Sequence, residues 1–245
     1  MKKVLIISSL LLISRGSFSI EPYEKIFPDD FKHACNFLEK NTIKFKSVAS
    51  KYKQNLSLLK AVVFPEIMRY SVLNDVLETS ALEYLYVHYG SEAADFSIGY
   101  FQMKPSFIET IERDIACDRN LSPKYDYLLF KKGMRETEKR KIRLQRLKTI
   151  DWQIVYLSAF IAICDSRFEA QKFMCAEDKI IFYSTAYNSG FHQSAEKIIA
   201  KSALKTFPYG IKYTGEQYAY SDIALYFHLY SKTTGNRNSP QLTNQ

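Results

Sequence analysis

Glycine and proline are scarce in this chain, 8 and 7 in 245 residues, while apolar side chains return at three- and four-residue intervals along most of its length. So few turn-forming residues cannot punctuate many short strands, and the helical period predicts a mainly α fold. Residues 29–40 read as a first helix, capped by Asp29 and Asp30, with Phe31, Ala34, Cys35 and Leu38 on one face. Residues 44–53 form a second, basic on its outside, and Leu56, Leu59, Val62 and Val63 open a third. Residues 75–89 read as an amphipathic helix stopped by Gly90, and Pro105 stands at a helix start. Trp152, Val155, Ala159 and Ala162 mark residues 151–164 as a buried central helix; residues 179–190 form another, closed by Asn188 and Gly190. A tyrosine-rich last helix covers residues 217–230, and the polar residues 231–245 read as a flexible tail. There is no internal repeat.

Residues 1–19 have the pattern of a secretory signal: Lys2 and Lys3, an apolar run over residues 4–13, then small Ser17 and Ser19 set for cleavage before Ile20. That run is shorter than the roughly 20 apolar residues a bilayer-spanning helix needs. The expectation is an exported, periplasmic or envelope-facing protein with no transmembrane segment in its mature chain; an uncleaved amino-terminal anchor is the alternative. The residue directly after the cleavage site is Ile20 and not a cysteine, so a lipid anchor is not expected. Hydrophobic residues at 47% and charged ones at 24% argue for a globular chain. A net charge of +8 favours anionic partners. For an exported chain these are an envelope polymer or membrane surface before nucleic acid, although a merely soluble basic surface accounts for the charge as well.

Cys35, Cys117, Cys164 and Cys175 allow two disulfides in three pairings between which the sequence does not choose, and each is equally readable as a free thiol. Without CxxC, and with His33, His88, His192 and His228 scattered, neither a metal site nor another cofactor is expected. Residues 131–148 carry nine Lys or Arg against two Glu. They read as a handle for an anionic polymer, or as a solvated helix or flexible insertion.

The residue with most chemical promise is Glu66, set between Val62, Val63, Phe64, Ile67 and Met68. A carboxyl group drawn inward by such neighbours has its charged form disfavoured and its pKa raised, as a general acid near neutral pH requires. Pro65 predicts a helix break there, from which Glu66 reaches into a cleft or, alternatively, points into water. Further on come a glycine turn, Gly99-Tyr100-Phe101-Gln102 with Met103 and Pro105 behind it, then Ala186-Tyr187-Asn188-Ser189-Gly190, then the tyrosines of the last helix.

In this order the motifs resemble those of the soluble lytic transglycosylases of the lysozyme-like superfamily, whose second motif usually reads Gly-Leu-Met-Gln and whose third reads Ala-Tyr-Asn-Ala-Gly. The resemblance covers about residues 56–229. It implies a goose-type lysozyme-like domain over 56–230, with a helical extension at 20–55 and the basic insertion at 131–148. It also implies cleavage of the bond between N-acetylmuramic acid and N-acetylglucosamine in peptidoglycan glycan strands, without water, to leave 1,6-anhydro ends. Glu66 matches the general acid and base, and Gln102 and Met103 match the cleft floor. Tyr187 and Asn188 match the substrate-contacting pair, and Tyr220, before Tyr218, matches the tyrosine near the acid. Where the family has Ser after the catalytic Glu this chain has Ile67, so that hydrogen bond is either missing or supplied by another residue, Ser71 or Ser97. The link from Glu66 to Gly99 is also longer than usual, which implies an extra helix over one end of the cleft. A muramidase of the same fold would need a second carboxylate, with Glu92 and Asp95 nearest. A non-catalytic scaffold serving an envelope machine would need only the cleft.

Overall fold

The structure, a computed structural model, describes residues 21–72, 79–210 and 214–237. The signal read over residues 1–19 therefore lies outside the described residues, as do residues 75–78 of one expected helix and the last eight of the tail.

Among the described residues the chain is helical almost throughout. The elements in order are α1 (Tyr23–Ile26), α2 (Pro28–Lys40), α3 (Thr42–Tyr52), α4 (Leu56–Val72), α5 (Thr79–Tyr89) and α6 (Pro105–Cys117). A 3-10 turn (Asp126–Leu128) leads to α7 (Glu136–Leu147), α8 (Ile150–Arg167), α9 (Ala176–Ser189) and α10 (Ala195–Lys201). Two short strands, β1 (Lys205–Phe207) and β2 (Tyr218–Ala219), precede α11 (Tyr220–Arg237). The strands pair antiparallel.

At the centre α4, α9 and α11 pack on one another. Leu58, Leu59 and every residue from Ala61 to Met68 are buried, so α4 is apolar all round, as a helix enclosed by others must be. It runs antiparallel to α11, with Ser57 meeting His228 and Val62 meeting Tyr220. Pro65 does not break it: the helix continues to Val72. Proline removes only the bond to the Ala61 carbonyl, and the burial of Val62, Val63 and Phe64 before it and Ile67 and Met68 after it outweighs that loss.

The helices of residues 20–55 share this core. Phe31 on α2 sets its ring edge against Phe64 of α4, centroids 5.0 Å apart, and Phe64 in turn stacks on Phe227 of α11 at 4.0 Å. The caps expected at Asp29 and Asp30 are not caps. The helix starts at Pro28, whose fixed φ suits a first position, and both acids fall in the first turn, where their charges oppose the helix dipole favourably.

On α8 the most deeply buried residues include Ile154, Leu157, Phe160, Ile161 and Cys164, while Trp152, Val155 and Ala162 are half-buried. The helix is buried as expected, with Ala159 fully enclosed and Trp152, Val155 and Ala162 on its shallower side. The basic stretch forms α7 and the turn before it with Lys131, Lys132, Arg135, Lys141 and Lys148 exposed, but Arg143 and Arg146 turn inward. Arg143 pairs with Glu112 at 2.7 Å; Tyr156 donates to Glu112 at 2.7 Å; Arg146 donates to Tyr156 and to the Leu128 carbonyl and lies over the Trp152 ring. This network ties α6, α7 and α8 together.

At the carboxy end α11 runs to Arg237, past the expected end at 230, so the polar run from 231 begins as helix. No disulfide joins any of the four cysteines, all of which are among the described residues; Cys164 is buried and Cys117 exposed. Among the described residues no single helix is long and apolar enough to cross a membrane.

Candidate active site

Residues 97–103 fold into a small hairpin. Ile98 and Met103 exchange both backbone hydrogen bonds, at 3.0 and 3.2 Å, around the turn Gly99-Tyr100-Phe101-Gln102. Gly99 is required twice over. Its φ is +69°, and a Cβ there would fall 1.9 Å from Gln153 Nε2 and 2.7 Å from the Leu147 carbonyl. Gln153, buried on α8, accepts from the Phe101 amide at 2.9 Å and donates to Leu147 at 2.6 Å, so it holds the hairpin to the core. Gln102 itself has a left-handed φ of 48° and donates to the Gly99 carbonyl at 2.8 Å.

Across from the hairpin, Tyr187 near the end of α9 donates its hydroxyl to the Phe101 carbonyl at 2.7 Å. That bond joins the second and third motifs, which lie 86 residues apart. On α11, Tyr220 donates to the Val62 carbonyl of α4 at 3.1 Å. Both tyrosines feel the charge of Glu66: burial first, then that carboxylate, drives their pKa values well above the ordinary. Tyr187, Tyr220 and Glu66 thus form one cluster at the same level of the three central helices. Tyr218, by contrast, sets its ring against Tyr23 and Phe27.

Glu66 is 4% exposed. Burial raises its pKa; the Arg69 charge and the Tyr220 hydroxyl oppose that without reversing it. Arg69 Nη1 lies 3.4 Å from Glu66 Oε2, yet Oε2 makes no hydrogen bond. Arg69 also lies over the Phe207 ring, 5.5 Å from its centroid. Glu66 lines neither the cavity beside Gln54 and His228 nor the one beside Phe37 and Tyr100.

Of the other expected residues, Met103 is buried and contributes its backbone to the hairpin. Ser97 is half-buried just before the turn, Asn188 is exposed at the end of α9, and the Ser71 side chain lies outside the described residues. Asp95 takes the Ser106 amide on one oxygen at 3.0 Å and its hydroxyl on the other at 2.8 Å, so it holds the start of α6. Glu92 is exposed.

Two participants were not anticipated. Arg69 was signalled by its spacing, one turn after Glu66, which puts both on one helix face. Gln153 carried no signal, because its role depends on where α8 passes behind the hairpin.

No family model, no curated protein and no solved structure matches the chain.

Proposed function

We propose that this chain is a peptidoglycan lytic transglycosylase with a lysozyme-like domain, exported to act on glycan strands, with Glu66 as general acid and base. The observation that carries the reading is the convergence of a buried, under-bonded carboxylate with Tyr187, Tyr220 and the Gly99 hairpin, all drawn from distant parts of the chain.

Protonated Glu66 donates to the glycosidic oxygen as the bond breaks through an oxocarbenium-like state. The resulting carboxylate takes the proton of the muramoyl C6 hydroxyl, which closes on C1 to form the 1,6-anhydro ring. The acid is restored and no water is consumed. A raised pKa favours the protonated acid that the first step needs, and the Arg69 guanidinium stabilises the anion formed in between. The exposed Asn188 amide offers donors and an acceptor for sugar hydroxyl and N-acetyl groups.

A hydrolytic muramidase needs a second free carboxylate; Asp95 is engaged by α6 on both oxygens, which leaves the exposed Glu92 as the candidate for that reading. The test is clearing of a suspension of purified sacculi by the mature chain. Glu66→Gln, folded by circular dichroism, is expected to leave the suspension turbid; clearing by that variant overturns the assignment.

A further inference from the structure

A cavity of about 400 Å³ lies between α2 and the Gly99 hairpin. Its α2 wall is His33, Asn36, Phe37 and Lys40, with Asn41 just past the helix end. Spacings of three, four and seven residues put the first four on one helix face, so the sequence of α2 builds this wall by itself. Tyr100 of the hairpin and Ile150, the first residue of α8, complete the lining.

The lining is open to solvent. His33, Asn36 and Lys40 are exposed, and Phe37, Asn41, Tyr100 and Ile150 are half-buried. Asn41 donates its Nδ2 to the Phe37 carbonyl at 2.9 Å, which orients the amide and leaves Oδ1 as an acceptor. None of the lining residues is acidic. Of the acids next to them in the chain, Asp151 is held by Lys44 at 2.8 Å, and the charge of Glu39 acts on Cys35 and Lys60. The Lys40 ammonium therefore meets no carboxylate from the cavity walls.

A cation, amide donors and acceptors, and an apolar floor together suit a carboxylate joined to peptide groups. An inorganic anion would use Lys40 and leave the Asn41 acceptor and the floor idle.

The cavity also lies close to the acid. Phe37 packs on Tyr100 with ring centroids 4.2 Å apart, and Tyr100 packs on Tyr70 at 4.3 Å. Tyr70 follows Glu66 by one turn on the same side of α4. Two ring spacings thus separate the α2 wall from the turn that bears Glu66, a span that three or four extended residues cover at roughly 3.5 Å each.

We propose that this cavity binds the acidic peptide carried by a muramic acid residue. Lys40 and His33 hold a peptide carboxylate, the Asn36 and Asn41 amides take peptide N–H and C=O groups, and Phe37 and Ile150 receive an aliphatic side chain. The proposal rests on the glycan-strand reading above and gives α2 the task of selecting strands that bear peptides.

The test is titration calorimetry of the mature chain with N-acetylmuramoyl-alanyl-glutamate, with the same compound amidated at its carboxyls, and with N-acetylglucosamine. None of these has a glycan bond to cut, so the outcome is independent of whether sacculi are cleaved, and a failed reaction is distinguishable from a failed peptide site. Binding of the first at millimolar concentration is expected, with at least fivefold weaker binding of the other two. Lys40→Gln and Asn36→Ala are each expected to weaken it at least fivefold, whereas Lys32→Gln, exposed on α2 outside the cavity, binds as wild type does. All three positions are exposed, and unchanged thermal unfolding verifies that the variants keep the fold. Absence of binding, equal binding of the amidated compound, or wild-type affinity in Lys40→Gln overturns the proposal.

Discussion

Arg69 stands one helical turn after Glu66 and 3.4 Å from its Oε2, and that oxygen still has no hydrogen bond. The pair sets the acid by opposition: burial favours the protonated form, and the guanidinium favours the ionised one. Replacing Arg69 with Met removes the opposing charge and raises the Glu66 pKa further. The alkaline limb of the pH–rate profile, already above the ordinary glutamate value of about 4.3, is expected to move up in Arg69→Met. An unmoved limb would mean that Arg69 does not act on Glu66.

The same burial has a stability consequence. A carboxyl whose pKa is higher folded than unfolded binds more protons in the native state, so stability falls as pH rises from the unfolded pKa through the folded one. Glu66→Gln does not ionise. Its urea midpoint is expected to rise relative to wild type as pH increases through that window and then level off, with no such relative gain at pH below about 4. A difference constant across pH would contradict the account.

Tyr187→Phe tests the joint between hairpin and α9. The Phe101 carbonyl then loses its donor inside the protein, which costs about 1–3 kcal/mol of stability in chemical denaturation. A loss below a few tenths would mean that the bond holds nothing in place.

Glu112→Ala leaves Arg143 and Arg146 charged and buried beside a vacated site. Breaking a buried pair in this way is expected to cost about 3–5 kcal/mol. Neutralising the exposed Lys131 and Lys132 together is expected to change stability by less than about 0.5 kcal/mol.

These contrasts show what was legible in the sequence. Helical period and scarce glycine convey the mainly α architecture, and Gly90, Gly99 and Gly190 mark turns that adopt positive φ. The inward pull on Glu66 was readable because its neighbours on both sides are apolar. The consequence of Pro65 was not: whether a proline breaks a helix depends on what the flanking residues bury, and here they lie at the centre of three helices. Arg143 and Arg146 misled for a related reason. Charge density along a segment says nothing of Glu112 and Tyr156, which meet them from other helices. Gln153 was invisible because a lone glutamine gains its meaning only from the backbone it braces.

The most direct measurement is mass spectrometry of the fragments released when the mature chain is incubated with purified sacculi, alongside Glu66→Gln. The account predicts muropeptides ending in 1,6-anhydromuramic acid from the wild type and none from the variant. Reducing muramic acid ends would contradict it and require water activated by a second acid. Intact sacculi with the protein bound would contradict it too, and leave a binding protein without the reaction.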